Sequence, residues 1–262
     1  MKRLGLIAGY GELPQEFVEK AFQKGYEVVS VGVEGITNFK THYTIPFGKI
    51  GKLLSIFEKE KVEGVVMLGK FEHRLVFSEL LRLDWTTFNL LRKLKDKKPE
   101  TLIRAFINFL EERGFPVIDP KPILSELLAE EGSINSIFPD EEALQDARWG
   151  FPIAKELASL DIGQTIVVKD KAVVAVEAME GTQETIERAG RLAGRGTVVI
   201  KVARKNQDFR IDVPTVGEDT LKVMKKVGAR ALFLEAGKVY IVRKESFKKL
   251  ADEFKIAVYG LT

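Results

Sequence analysis

Short apolar runs alternate with helical stripes through the first half of the chain. Residues 4–8 form an apolar run closed by Gly9-Tyr10-Gly11, which reads as a buried strand feeding a turn. Over residues 14–24 the apolar positions Phe17, Val18, Ala21 and Phe22 follow helical spacing, with Pro14 in the first turn and Gly25 as the stop. Residues 27–33 are valine-rich and read as a second strand. Ile50, Leu53, Leu54 and Phe57 mark a second amphipathic helix, and residues 65–68 a third strand closed by Gly69-Lys70. Helical spacing returns from about residue 78 to 94, and again through Leu102, Ala105, Phe106 and Phe109. Residues 116–120 are a short strand bounded by prolines. Helix-separated strands predict a parallel sheet with crossovers. The aromatics Phe17, Phe22, Phe106 and Phe109 fall at core spacing and read as packing.

The pattern breaks over residues 131–139, where Gly132, Ser133, Asn135 and Pro139 cluster. That is the boundary the composition favours. A helical segment over 140–160 is read as a bridge. The second half then opens with two β-runs, 165–168 and 173–176, around Lys169-Asp170-Lys171-Ala172, the signature of a hairpin. A helix over 184–193, a strand over 197–202, a polar loop over 204–212, a helix over 220–227, strands over 231–234 and 239–242, and a last helix and strand follow. The predicted fold class is α/β: a Rossmann-like parallel-sheet domain over 1–132, a linker and bridging helix over 133–160, and a mixed α+β domain over 161–262. There is no solenoid repeat and no low-complexity tract.

Composition narrows the chemistry. The chain of 262 residues is 45% hydrophobic and 30% charged with a net charge of +3, which fits a globular protein with a core and gives no basic stripe for nucleic acid. The nearest basic run, Arg92-Lys93-Leu94-Lys95-Asp96-Lys97-Lys98, reads as a solvated helix end. The absence of cysteine excludes disulfides, iron–sulfur clusters, cysteine zinc sites and thiol nucleophiles. The first apolar run is too short for a signal peptide, and no stretch approaches the ~20 residues needed to span a bilayer. The expected location is the cytoplasm, at most peripheral on the inner membrane.

Candidate chemistry sits at four places. Gly9-Tyr10-Gly11-Glu12-Leu13-Pro14 lies between a strand and a helix, where glycines allow close backbone approach and a helix N-terminus attracts an anion. A tight turn with no ligand explains the same residues equally well. Gly69-Lys70 ends a strand of a parallel sheet, where ligands gather; a surface lysine is the alternative. Glu177-Ala178-Met179-Glu180-Gly181-Thr182 puts Glu177 at a strand end, Glu180 in a turn and Thr182 as a helix N-cap; a capped helix with solvated acids explains it equally well. The fourth place is the stretch from Lys201 to Thr215. It mixes Lys201, Arg204, Lys205, Gln207, Asp208, Arg210 and Asp212, the combination a magnesium-bound diphosphate needs. Asp208 and Asp212 share a face if the loop forms a helical turn and lie on the same side if it is extended; a charged surface loop is the alternative. His42 and His73 lie away from these acids, and no Walker loop or nucleophile elbow occurs.

Three segments together resemble one family. They are residues 5–14; residues 160–168 continuing through Ala175-Val176-Glu177-Ala178-Met179-Glu180-Gly181-Thr182; and Gln207-Asp208-Phe209-Arg210-Ile211-Asp212-Val213-Pro214-Thr215-Val216-Gly217. Their order and spacing resemble the UDP-2,3-diacylglucosamine pyrophosphatases of the LpxI type, unrelated to the calcineurin-like phosphoesterases. The resemblance implies a two-domain hydrolase that splits the substrate into UMP and 2,3-diacylglucosamine 1-phosphate (lipid X) in lipid A biosynthesis. It implies a divalent cation, Mg2+ in most members, and an essential aspartate that maps to Asp212, with Asp208 as the rival position. Asp208, Asp212, Glu177 and Glu180 are then the candidate metal ligands. Gly9, Tyr10, Gly11, Gly69, Lys70, Gly181, Thr182, Lys201, Lys205, Gln207 and Arg210 are the candidate substrate contacts. Tyr10 stands where members often carry a third glycine, and Gln183 where an aspartate often follows the Gly-Thr pair, so position 183 is not counted as a ligand. The expected partners are the nucleotide-sugar lipid, a transient contact with the inner-membrane surface and no nucleic acid; a homodimer is left open. A non-catalytic nucleotide-sugar or lipid-binding protein, or a nucleotide-sugar transferase, is the alternative function.

Overall fold

The computed structural model describes residues 2–71, 83–92, 94 and 99–262. His73, most of the basic run after Arg92 and the start of the helical region near residue 78 lie outside the described residues. The chain divides into two compact units. The first holds Met1–Ser125 together with Asp208–Asp212, and the second holds Glu126–Gln207 and Val213–Thr262.

In the first unit, β1 (Arg3–Ala8) is central and pairs in parallel with β2 (Glu27–Val33) and β4 (Gly64–Leu68), while β3 (Tyr43–Ile45) adds in parallel to the outside of β2. The order is β3-β2-β1-β4. The segment around Val117 extends this sheet past β4: Val65 N donates to Pro116 O (2.8 Å) and Ile118 N to Val65 O (2.9 Å). A strand buried on both faces needs apolar residues at every position, which is why β1 reads as a continuous run. Helix α1 (Leu13–Gln23) buries Leu13, Phe17 and Ala21 and packs against β2. Phe22, at core spacing in the sequence, is 73% exposed: it lies off the Phe17–Ala21 stripe of α1. Leu53, Leu54 and Phe57 of α2 (Ile50–Lys59) share a core with Ile107 and Leu110 of the helix Pro99–Glu112 and with Ile7, Val29, Val31 and Val65 of the sheet. Between these helices lies α3 (Trp85–Arg92), so Pro99–Glu112 is α4, and a short α5 (Lys121–Leu124) closes the unit.

The second unit is a three-layer sandwich. Its mixed sheet has the order β5-β12-β10-β8-β6-β7, with β5 at Gly132–Ser133, β6 at Thr165–Lys169, β7 at Ala172–Val176, β8 at Val198–Lys201, β10 at Ala231–Glu235 and β12 at Ala257–Leu261. Strands β8, β10 and β12 run parallel, and β6 is antiparallel to both β7 and β8. Alternate residues face opposite layers. Ile166, Val168, Val198, Ile200 and Phe233 pack on α6 (Glu141–Ser159), whereas Val167, Val199, Leu232 and Leu234 pack on α7 (Thr182–Ala193), α8 (Glu218–Val227) and α9 (Lys244–Phe254). The helix expected to bridge two domains is therefore a layer of the second unit. It lies close to the sheet because its inner stripe is small: Ala143, Ala147, Gly150, Ala154 and Ala158. A Cβ on Gly150 would stand 2.6 Å from Ile200 Cδ1.

The β6–β7 hairpin turns through Asp170 and Lys171, both at positive φ (51° and 55°) without glycine. Buried Asp146 of α6 offsets that cost by accepting the backbone N–H of Lys171 (2.7 Å) and of Asp170 (3.1 Å). The run 239–242, read as one more strand, is only β11 (Tyr240–Ile241). It pairs with β9 (Thr215–Val216) in a separate two-stranded sheet.

Candidate functional site

Within the first unit the predicted residues gather at the carboxyl ends of the parallel strands. Gly9-Tyr10-Gly11 follows β1 and Gly69-Lys70 follows β4, and the two turns are zipped together. Gly9 N donates to Leu68 O (2.8 Å), Tyr10 N to Lys70 O (2.9 Å) and Lys70 N to Tyr10 O (2.8 Å). This contact accounts for two glycines. A Cβ on Gly9 would lie 2.6 Å from Lys70 O, and one on Gly69 would lie 2.8 Å from Gly9 C at a φ of +95°. Gly11 differs: at φ +117° its Cβ direction is open, and its N–H is bound by Asn38 Oδ1 (3.0 Å). Tyr10 occupies the middle place without strain, since only its side chain, 56% exposed, leaves the turn.

The third motif also belongs to the first unit, packed against α4. Asp208–Asp212 belongs to the first unit although the residues on either side belong to the second, so the two aspartates placed in a C-terminal domain by sequence order are carried on the N-terminal unit. The segment is a helical turn: Ile211 N and Asp212 N both donate to Asp208 O (3.0 and 3.2 Å). Ile211 packs with the core beneath α4, and the Lys121 ammonium lies 5.5 Å from the centre of the Phe209 ring. Arg210 Nε and Nη2 grip the two oxygens of Asp208 (3.0 and 2.8 Å), and Arg210 also reaches Glu111 (3.4 Å). The Arg210 fork holds the Asp208 carboxyl below the ordinary carboxylate value, against the opposing effect of partial burial. Asp208, Arg210 and Ile211 line a depression of about 140 Å³ with Arg104, Ile107 and Asn108.

The second unit arranges its candidates differently. Thr182 is the first residue of α7, not its cap; Gly181, at φ +83°, holds the cap position with no side-chain hydrogen bond. The Thr182 hydroxyl donates to Glu177 Oε1 (2.8 Å) and accepts from the buried Lys201 ammonium at the end of β8 (2.6 Å). Glu177 Oε2 also receives Gln164 N (3.3 Å). Lys201, Thr182 and Glu177 thus form one polar line under an uncapped helix N-terminus, a setting that favours an anion. Glu180 faces elsewhere. Its oxygens accept from Ala178 N (3.1 Å), Thr185 Oγ1 (3.3 Å) and Arg188 (2.6 Å), and its backbone hydrogen bonds, with Arg188, hold it below its ordinary value. Beyond β8, Arg204 N donates to Gln207 Oε1 (3.1 Å), Arg204 pairs with Asp161 (2.7 Å), and Lys205 is exposed.

Sequence reasoning passed over one cluster. Buried Glu235 at the end of β10 and the partly buried Lys155 of α6 form an ion pair (2.8 Å) that grips Ala203 on both sides. Lys155 Nζ donates to Ala203 O (2.7 Å), and Glu235 Oε2 accepts from Ala203 N (2.8 Å). Two charges 80 residues apart carry no local signal.

Among the described residues no three His, Asp or Glu side chains come together as a metal-holding group, and no helix is long and apolar enough to cross a membrane.

Comparison with known proteins agrees with the motif reading. The family model described as the LpxI N-terminal domain matches residues 3–127, and the one described as the LpxI C-terminal domain matches residues 130–259. The UDP-2,3-diacylglucosamine pyrophosphatase LpxI of Caulobacter vibrioides is 28% identical over 276 aligned positions, covering 100% of this chain and 98% of that protein. A solved structure of an SsGBP variant aligns over 97% of this chain and 87% of its own at 14% identity, with a TM-score of 0.19, a likeness too slight to carry an argument. With both domain models matched in order from residue 3 to residue 259, this chain belongs to the LpxI family.

Proposed function

We propose that this chain hydrolyses the pyrophosphate bond of UDP-2,3-diacylglucosamine, releasing UMP and 2,3-diacylglucosamine 1-phosphate on the route to lipid A. The observation that carries this reading is the two-domain match along the chain, together with a relative of that activity aligned end to end. The oxygen of water forms a bond to one phosphorus and gives up its proton to solvent, the bond from that phosphorus to the bridging oxygen breaks, and the departing phosphate keeps the bridging oxygen with its electron pair.

The residues divide the work as follows. The open face of Gly11 and the exposed Lys70 and Tyr10, at the carboxyl ends of β1 and β4, receive the nucleotide side. Lys201 beneath the α7 N-terminus, with Gly181 and Thr182, and the cations Arg204 and Lys205 offset charge on phosphate oxygens. Asp212 orients the attacking water. Asp208 and Arg210 serve it indirectly: their mutual fork and the contact to Glu111 set the turn. Both oxygens of Asp208 are engaged by a guanidinium, so Asp208 is a poor metal ligand, and Glu177 and Glu180 are likewise committed to Thr182 and Arg188. The donor set still suits magnesium, which binds through one or two protein carboxylates and completes its shell with waters and substrate phosphates. Asp212, to which the family resemblance assigns the essential role, is the carboxylate that would hold the ion, and the ion would supply charge neutralisation at the diphosphate. Leu160, Ile162 and Met179 are exposed apolar groups on the second unit and suit acyl-chain contact. A diacylated substrate requires transient contact with a membrane surface, and we place the protein at the cytoplasmic face of the inner membrane.

The test is incubation with UDP-2,3-diacylglucosamine and Mg2+, followed by mass spectrometry. UMP and the diacyl sugar phosphate are expected with water as the only acceptor. No UMP would remove the hydrolase reading, and full activity after exhaustive EDTA treatment would remove the metal.

A further inference from the structure

The Lys155–Glu235 pair, its carboxylate buried and its ammonium partly so, has no place in the chemistry above, yet it is fully engaged. Glu235 is 6% exposed and Ala203 is fully buried. Burial alone would raise the Glu235 carboxyl, but Lys155, Lys238 and the N–H of Ala203 outweigh it and hold the carboxyl below its ordinary value. Removing two charges from water is costly, and apolar residues of similar volume would pack at least as well there. What an apolar pair does not supply is a donor and an acceptor aimed at one peptide unit on each side of Ala203.

The chain leaving β8 is held at each step. Val202 N donates to Gln164 O (2.9 Å), Ala203 N to Glu235 and Lys155 to Ala203 O, and Arg204 N to Gln207 Oε1. Arg204 is the first residue past the grip. Its guanidinium is 40% exposed and directed by Asp161. It stands just beyond the carboxyl end of a parallel strand, the edge where ligands meet such sheets.

We propose that Arg204 is a diphosphate-binding residue and that Lys155 and Glu235 are its positioning residues, acting through the backbone of Ala203. The inference rests on the pyrophosphatase reading, which already places Arg204 at phosphate oxygens, and adds to it the support that holds Arg204 there, which the motifs do not indicate.

A double-mutant cycle tests it, with UMP release from UDP-2,3-diacylglucosamine as the assay. Arg204→Ala and Lys155→Met are each expected to lower kcat/KM roughly tenfold to a hundredfold. The double variant is expected to fall no further than Arg204→Ala alone, within about twofold, because the support has nothing left to position. Lys155→Arg, which keeps a donor for both Ala203 O and Glu235, restores most of the loss. If Lys155→Met does not fold, Glu235→Gln takes its place in the cycle: it keeps an acceptor for Ala203 N but loses the charge. Losses that multiply in the double variant overturn the positioning role, since a general loss of stability does not depend on Arg204. An Arg204→Ala enzyme with unchanged kcat/KM overturns the contact while the hydrolase reading stands. A wild-type protein that releases no UMP takes both down.

Discussion

The turn Asp208–Asp212 on the first unit keeps its charges at a partly exposed surface, whereas the second unit buries Lys201 and Glu235 and ties them to the partly buried Glu177 and Lys155. Both regions mix carboxylates with cations, and in the sequence they look alike. The surface turn is held by a two-pronged Arg210–Asp208 contact and by packing of Ile211 and Phe209, so it sets a direction at little energetic cost. The buried lines are held by partners on several elements at once, and breaking any one strands a desolvated charge. A carboxylate kept near water suits chemistry on water; a carboxylate committed to the interior suits architecture.

The sharpest way to break this comparison is Asp212→Asn. We expect kcat to fall by roughly 10²–10⁴-fold, the range of a positioned proton-transfer or water-orienting group, with the unfolding midpoint unchanged. Steady-state kinetics beside a thermal melt decide it, and a fully active variant would reduce the turn to a strap. Thr182→Val addresses the second unit. It keeps the shape but deletes the hydroxyl between Lys201 and Glu177, and should cost about 1–3 kcal/mol in urea unfolding at constant m-value. A neutral result would mean that the two charges have other partners enough. Arg210→Lys follows: one ammonium cannot reproduce the fork, so kcat/KM should drop about tenfold. Stability should move by less than about 1 kcal/mol because the pair is half-exposed. A large stability loss there would make the surface turn resemble the buried lines.

The smallest effect concerns pH. Asp208 and Glu235 both have folded-state values below their ordinary ones of 3.8 and 4.5. Each therefore adds stability that is complete above the ordinary value and is lost as the pH falls through the lower folded value. Thermal midpoints of Asp208→Asn and Glu235→Gln should converge on the wild type only below those ordinary values. In high salt the Asp208 difference should shrink and the Glu235 difference should persist, because exposed pairs are screened and buried ones are not. Equal salt sensitivity at the two positions would contradict the contrast.

The elements legible along the chain were those whose burial is periodic. Residues 4–8, 27–33 and 65–68 became β1, β2 and β4, and the continuous apolar runs around Val167 and Val199 became β6 and β8, because strands covered on both faces must be apolar at nearly every position. Tyr43–Ile45, Gly132–Ser133 and Thr215–Val216 were illegible, since two or three residues at a sheet margin make too few contacts to impose a pattern. The glycine turns were visible, yet only packing separates Gly9 and Gly69, closed against each other's backbone, from Gly11, which faces open space.

Sequence alone determined the α/β class, the change of character near residue 130, the longer strands of the two large sheets and the family motifs, because these depend on local composition and on spacing within one element. Tertiary structure decided which unit carries Asp212, that Asp208 belongs to Arg210, that Thr182 joins Glu177 to Lys201, and that Lys155 and Glu235 hold Ala203. Those pairings form between residues of any separation once the chain has closed on itself, and their strength comes from a desolvated interior that exists only in the folded protein.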